Sequence, residues 1–197
     1  MTATVEIARP APIGADRPLA VALVVAAGCG LLVLRPVLFS GGHSMAIGIA
    51  LFALLAAVGL LWPSTTGHRT RALPVRQRVI VLGAGIAAFG LARVIGGGEA
   101  PAPFLLRVIA LNSLAAVAEE AFFRKLAFDA LRDRGPIVAV AVTSILFAVV
   151  HVTVYGFWVL PLDLAAGLVL GWQRWAGDSW TIPAATHVVA NLLVVLP

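Results

Sequence analysis

Charge and cysteine are both scarce in this chain. Only 12% of its 197 residues are Asp, Glu, Lys or Arg, whereas a soluble domain contains about 25%. The single cysteine, Cys29, excludes an internal disulfide and has no neighbour at metal-ligand spacing. The shortage of charge argues against an ordinary soluble domain. No basic stretch is interleaved with base-stacking aromatics, so nucleic acid is not an expected partner.

What the chain has is apolar sequence in long blocks. Hydrophobic residues make up 61% of it, and a membrane helix needs about 20 mostly apolar residues. The blocks predict an all-α, polytopic membrane helical bundle of about seven transmembrane helices, embedded in a lipid bilayer. The predicted spans are residues 19–39, 45–62, 77–97, 103–126, 136–154, 157–173 and 180–196.

The positive charges predict the orientation of this bundle, because Lys and Arg accumulate on the cytoplasmic side of membrane proteins. A cytoplasmic N-terminus places most of them inside, which predicts a multi-pass protein of the inner (plasma) membrane. The inner set is Arg9, Arg17, Arg69, Arg71, Arg76, Arg78, Lys125, Arg132, Arg134 and Arg174, and the outer set is Arg35, Arg93 and Arg107.

Polar residues within the spans divide the chain into three parts. Residues 1–18 are expected to form a disordered cytoplasmic tail. Residues 19–102 are expected to be scaffold helices, and residues 103–197 the catalytic helices, because most intramembrane polar groups lie there. Such groups are functional-site candidates, since the membrane makes them costly. They are Asn112, Glu119, Glu120, His151, Asp163, His187 and Asn191, with Arg124 near a helix end.

Three pairs of these residues share a helical face, because their members are four residues apart. The pairs are Glu120–Arg124, Phe147–His151 and His187–Asn191. Glu119 points about 100° away from Glu120 and is free to face a cavity. The spacing therefore predicts a site formed by helices four, five and seven.

The residue types of this site are those needed for amide hydrolysis. A glutamate and a histidine can activate one water as a nucleophile, and a second histidine with an asparagine offers donors to a developing oxyanion. No serine or cysteine has partners for a covalent acyl-enzyme. We expect no cofactor. A zinc ion held by Glu119, His151 and His187 is the alternative, because His2Glu is a known catalytic set.

Taken in order, the three motifs resemble those of the CPBP family. This family comprises CAAX prenyl proteases and bacteriocin-processing enzymes, also called Abi proteins. The motifs are Glu119-Glu120-x-x-x-Arg124, Phe147-x-x-x-His151 and His187-x-x-x-Asn191. Gly167 and Gly171 fit the family's small-residue helix. The resemblance covers about residues 104–196, and the first three helices share only their apolar character.

The resemblance implies a CAAX-protease-like membrane endopeptidase, glutamate-type or metal-dependent, that hydrolyses a membrane-associated peptide or protein. It implies that Glu119 and His151 activate water, that His187 and Asn191 stabilise the oxyanion, and that Glu120 and Arg124 hold the site together. Lys125 departs from the family, in which a glycine commonly follows the motif arginine. Asp163 has no counterpart in the family, and two roles are open for it: a partner that supports a site residue, or a polar gate.

Two other functions fit parts of the pattern. A non-catalytic bacteriocin-immunity or peptide-binding protein of the same family would tolerate substitution of Glu119 and His151. A small transporter or proton relay would use the same acids and histidines, and it would show proton-coupled flux without cleaved peptide. Neither accounts for all three motifs together.

Overall fold

A computed structural model describes residues 16–63, 73–96 and 106–195, with side chains from residue 18 onward. All regular structure in these ranges is helical. Long helices occupy each of the seven predicted spans. The predicted tail lies outside the described residues except for its last three, which already belong to the first helix.

The helix bounds are as follows: α1 is Asp16–Val33, α2 Arg35–Leu38, α3 Ser44–Leu61, α4 Val75–Gly96, α5 Leu106–Glu120, α6 Phe128–Leu131, α7 Pro136–Tyr155, α8 Leu160–Gly177 and α9 Thr181–Val195. A π-helical stretch, Ala121–Ala127, joins α5 to α6 without a break. The predicted fourth span is therefore one helix that continues about one turn beyond its predicted end.

Three helices, α3, α4 and α7, are each long and apolar enough to cross a membrane by length and composition. Each also leaves large apolar side chains on the outside of the bundle, among them Leu54, Ile80 and Ile145. Exposed apolar surface on this scale is what lipid contact requires. The prediction of an all-α membrane bundle is confirmed.

The bundle core is formed where the predicted scaffold helices meet the motif helices. Leu51, Phe52 and Leu55 of α3 pack with Phe122 and Phe123 of the π-helical stretch. Gly59 lets α3 come close, because a Cβ there would lie 2.5 Å from the main chain of Ala121. The first motif is thus held against the N-terminal half of the chain.

Helices α7 and α8 pack closely through two glycines. A Cβ at Gly167 would lie 3.0 Å from Cα of Ser144, and one at Gly171 would lie 3.1 Å from Cγ1 of Val140. Small residues four apart let membrane helices approach backbone to backbone. This contact fixes the second motif, on α7, beside the first turn of α8.

Candidate active site

The two acids of the first motif end α5 and are both buried. Glu120 accepts a hydrogen bond at Oε1 from Nη1 of Arg124, at 3.2 Å, and neither side chain has any exposed surface. This is the predicted i,i+4 pair. Arg124 lies in the π-helical stretch, and such stretches occur frequently at functional sites. Its Nη2 donates to the carbonyl of Gly167 at 3.1 Å, so the pair also ties α5 to α8.

His187 joins the third motif to the first. Its Nδ1 lies 3.0 Å from Oε1 of Glu120, the atom that Arg124 also contacts. An ionised carboxylate only accepts hydrogen bonds, so Nδ1 carries the proton in this contact. The other ring nitrogen, Nε2, is therefore the one left to bind a ligand or substrate.

His151 brings the second motif to Glu119. Its Nδ1 donates to the carbonyl of Phe147 at 2.7 Å, since a carbonyl oxygen can only accept. This bond directs Nε2 to Oε1 of Glu119, at 3.8 Å. The two atoms are too far apart for a direct hydrogen bond and close enough to bind one water between them.

The ring of Phe147 separates the two histidines and supports the motif arginine. It packs against His151 at 4.7 Å and against His187 at 5.6 Å between ring centroids. The guanidinium of Arg124 lies over the same ring, 4.7 Å from its centroid. The motif phenylalanine thus sets the spacing between the groups that face Glu119 and Glu120.

Asn191 is held differently from the other motif residues. Its Nδ2 donates to the main-chain oxygen of Asn112 at 3.1 Å, which links α9 to α5. The structure thus places Asn191 one turn beyond His187 on the same helix, with one amide hydrogen already bound. An oxyanion role for this side chain stays a prediction.

Asp163 lies next to the second motif. Its Oδ2 is 3.6 Å from Nδ1 of His151, and the atom is buried without a hydrogen-bond partner. The sequence is compatible with two roles for Asp163, a partner that supports a site residue and a polar gate. Its position beside the His151 ring favours the first.

Arg35 is the residue of the site that the sequence did not indicate. It follows α1, in the part of the chain expected to be scaffold, and only 7% of it is exposed. Its Nη1 lies 3.3 Å from Oε1 of Glu119. Its sequence position suggested only an outer flanking charge, whereas the structure places it against Glu119 from the part of the chain expected to be mainly scaffold.

Lys125 caps a neighbouring helix. Its Nζ donates to the carbonyls of Gly59 at 2.8 Å and Leu60 at 3.0 Å, in the last turn of α3, where carbonyls have no partner within the helix. On the other side of the same stretch, Nε of Arg174 donates to the carbonyl of Arg124 at 2.8 Å. The departure at Lys125 is therefore accommodated at the α3 end, away from the two acids.

The described residues contain no group of three or more His, Cys, Asp and Glu side chains that could hold a metal ion. Of the three residues that the alternative zinc site would use, Glu119 faces His151, whereas the third, His187, is hydrogen-bonded to Glu120. The ligand set suggested by the sequence is therefore divided between two carboxylates.

The site lies near the end of the bundle where α7 ends and α8 begins. Exposure of its side chains rises toward that end, from 0% for Glu120 and 4% for Glu119 to 10% for His151 and 21% for Asp163. The ring of Tyr155, one turn after His151, stacks on the histidine at 6.1 Å between centroids and is itself exposed. Access to Glu119 is thus from this end.

One of three comparisons with known proteins finds a match. Residues 101–193 match the family model described as type II CAAX prenyl endopeptidase Rce1-like. No curated protein and no solved structure matches the chain. The matched residues include all three motifs and begin well after Arg35. Residues 101–193, which hold every motif that resembles the CPBP family, are therefore similar to the Rce1-like type II CAAX prenyl endopeptidases.

Proposed function

We propose that this protein is an intramembrane endopeptidase in which Glu119 and His151 activate a water to hydrolyse a peptide bond. The observation that carries the proposal is the pairing of Oε1 of Glu119 with Nε2 of His151 at 3.8 Å. Both atoms accept hydrogen bonds. A water between them therefore donates one proton to Glu119 and the other to His151, and a lone pair of its oxygen is free to attack.

In this mechanism the water oxygen attacks the carbonyl carbon and its proton passes to Glu119. The tetrahedral intermediate then breaks at the C–N bond, and Glu119 returns the proton to the leaving nitrogen. General acid–base catalysis of this kind contributes about 10²–10⁴-fold to the rate. The products are a new carboxylate and a new amine, and no covalent enzyme intermediate forms.

His187 supplies the positive charge opposite the developing oxyanion. In its protonated form both ring nitrogens donate, so Nε2 can bind the oxyanion while Nδ1 stays on Glu120. A preorganised donor of this kind is worth about 10²–10³-fold in kcat. Glu120 and Arg124 then position His187, and Asn191 adds its remaining amide hydrogen.

The substrate is proposed to be a peptide or protein segment anchored in the membrane. Abundant Ala, Gly, Val and Arg is typical of a GC-rich bacterium, so prenylated protein is not the expected substrate. A group of positive charges lies at the bundle end opposite the site: Arg76 and Arg78 at the start of α4, the turn Arg132–Arg134, and Arg174 near the end of α8. With a cytoplasmic N-terminus, the site opens toward the extracytoplasmic face.

The test compares wild type with Glu119→Gln and His151→Ala in detergent, on a peptide library from the membrane proteome, with cleavage read by mass spectrometry. Asp133→Asn, an exposed carboxylate in the turn at the other end, is the matched control. We expect cleavage by wild type and the control, and a loss of about 10³-fold or more in both site variants.

A chelator arm separates the glutamate-type mechanism from the metal-dependent one. We expect cleavage to persist after the protein is treated with a zinc chelator and dialysed. Loss of activity on chelation with recovery on added zinc would assign the metal mechanism instead. Cleavage by Glu119→Gln at the wild-type rate would contradict the role given to Glu119. No cleavage by folded wild type would contradict the protease assignment and favour the peptide-binding role.

A further inference from the structure

Glu119 and Glu120 are both buried in the bundle, and each needs its own positive partner. A buried carboxylate without one is strongly destabilising. Glu120 contacts Arg124 and His187. For Glu119 the hydrogen-bonded partner is Arg35, at 3.3 Å. The second acid of the site therefore depends on a side chain that lies 84 residues earlier and outside the matched segment.

The guanidinium of Arg35 is fixed at three points. Nε donates to the carbonyl of Leu32 at 3.0 Å, Nη1 to Oε1 of Glu119 at 3.3 Å, and Nη2 to the carbonyl of Val150 at 3.4 Å. Val150 directly precedes His151 in α7. One planar group thus bridges the end of α1, the catalytic glutamate and the main chain beside the catalytic histidine.

The local sequence explains why Arg35 takes this position. Pro36 has no N–H, so it cannot donate to the carbonyl of Leu32 as the next helical residue would. Helix α1 ends at Val33, and α2 begins at Arg35. The free carbonyl of Leu32 accepts Nε of Arg35 instead. The Arg-Pro pair therefore ends one helix and directs the guanidinium into the bundle.

We propose that Arg35 is a positioning residue that fixes Glu119 toward His151, which rests on the proposed protease mechanism. The oxygen bound by Arg35 is the one that lies 3.8 Å from Nε2 of His151. The guanidinium is itself held on α1 by the carbonyl of Leu32 and on α7 by that of Val150. It therefore sets the distance between Glu119 and His151 in which the water is bound. The N-terminal helices are therefore part of the catalytic unit, because residues 101–193 alone do not contain Arg35.

The test uses Arg35→Gln, which removes the charge, and Arg35→Lys, which keeps it with fewer donors. Arg93→Gln is the matched control, because Arg93 also lies near this end of the bundle and donates from Nε to a main-chain carbonyl, that of Leu193. We expect kcat to fall about 10- to 100-fold in Arg35→Gln, with KM nearly unchanged. Arg35→Lys should recover part of the loss, and Arg93→Gln should match wild type.

Two kinetic results would overturn the proposal. A wild-type kcat in Arg35→Gln would show that Glu119 needs no such partner. A rise in KM alone would show that Arg35 binds substrate and does not position the glutamate.

A thermal experiment tests the same contact without relying on activity. Arg35→Gln leaves the Glu119 carboxylate buried without its partner, so the unfolding midpoint should fall by several degrees. In a protein that already carries Glu119→Gln, the Arg35→Gln substitution should lower the unfolding midpoint clearly less. Equal shifts in the two backgrounds would contradict the contact. If this coupling is found but wild type cleaves no peptide, the protease proposal fails while the Arg35–Glu119 pair stands.

Discussion

Nδ1 of His187 lies 3.0 Å from the Oε1 atom of Glu120 that also binds Arg124 at 3.2 Å. The first and third motifs therefore share one carboxylate oxygen, although they are 67 residues apart. The second motif approaches the neighbouring acid, Glu119, from another helix. Each of the two adjacent glutamates thus faces one histidine: Glu120 contacts His187, Glu119 lies near His151, and the ring of Phe147 lies between the two histidines.

The position of Asp163 predicts an effect on the rate. In the proposed mechanism its carboxylate, 3.6 Å from Nδ1 of His151, stabilises the partial positive charge that the ring gains when Nε2 binds a proton of the attacking water. Asp163→Asn keeps the shape and removes the charge. We expect kcat to fall about tenfold, less than the full contribution of a general base, with KM unchanged.

The matched control for this variant is Asp133→Asn, which changes an exposed carboxylate far from the site. Asp163 also lies in the first turn of α8, where a negative charge stabilises the helix. The unfolding midpoint must therefore be measured alongside kcat. A drop in the midpoint with an unchanged kcat would assign Asp163 to helix stability alone.

Close packing at Gly59 predicts a stability difference between two glycine substitutions. A Cβ at Gly59 would lie 2.5 Å from the carbonyl of Ala121, whereas one at Gly83 meets nothing within 4 Å. Both glycines lie inside helices. Gly59→Ala should destabilise by about 1–3 kcal/mol through overpacking, and Gly83→Ala should be neutral or slightly stabilising, since alanine favours helix. Thermal unfolding in detergent, with both variants, measures this.

The catalytic activity of Gly59→Ala and Gly83→Ala is a second measurement on these two variants. Moving Ala121 displaces the segment directly after Glu120, so Gly59→Ala should also lower kcat at temperatures where it remains folded. Equal unfolding midpoints for the two variants would contradict the packing of α3 on the motif helix.

The proposed orientation predicts which ends of the helices react with a thiol reagent in intact cells. Cys29→Ala gives a background without cysteine. Ser44→Cys places a thiol at the start of α3, at the end of the bundle near the site, and Asp133→Cys places one at the opposite end. A membrane-impermeant maleimide should label the first in intact cells and the second only after lysis. The reverse pattern would place the site on the cytoplasmic side.

Some features of the site could be predicted from sequence because they depend on short separations. The contact between Glu120 and Arg124 follows from i,i+4 spacing, and it is confirmed. The contact of Arg35 with Glu119 could not be predicted in this way. A single arginine after an apolar block resembles a flanking charge, and only the following proline distinguishes it.

The π-helical stretch was also not predictable, for a different reason. Residues 121–127 are apolar around Arg124 and Lys125, and this pattern is compatible with either helix type. What separates the types here is packing against other helices. Arg174 donates to a main-chain oxygen of the stretch, and Lys125 reaches the end of α3. Both partners are far away in the sequence.

This stretch has a consequence for how the chain tolerates changes in length. A π-helical turn closes over five residues where an α-helical turn closes over four, so the motif helix accommodates about one extra residue at this point. Deleting a residue between Glu120 and Arg124 would leave an unbroken helix of ordinary pitch. Because the stretch holds about one residue more than an α-helix of the same length, α5 and α6 would keep their places, and Arg124, now three residues after Glu120, would still lie beside it on the helix surface. A one-residue deletion in this stretch should therefore be better tolerated than one in the regular part of α5, which would turn Glu119 and Glu120 by about 100° relative to the start of that helix.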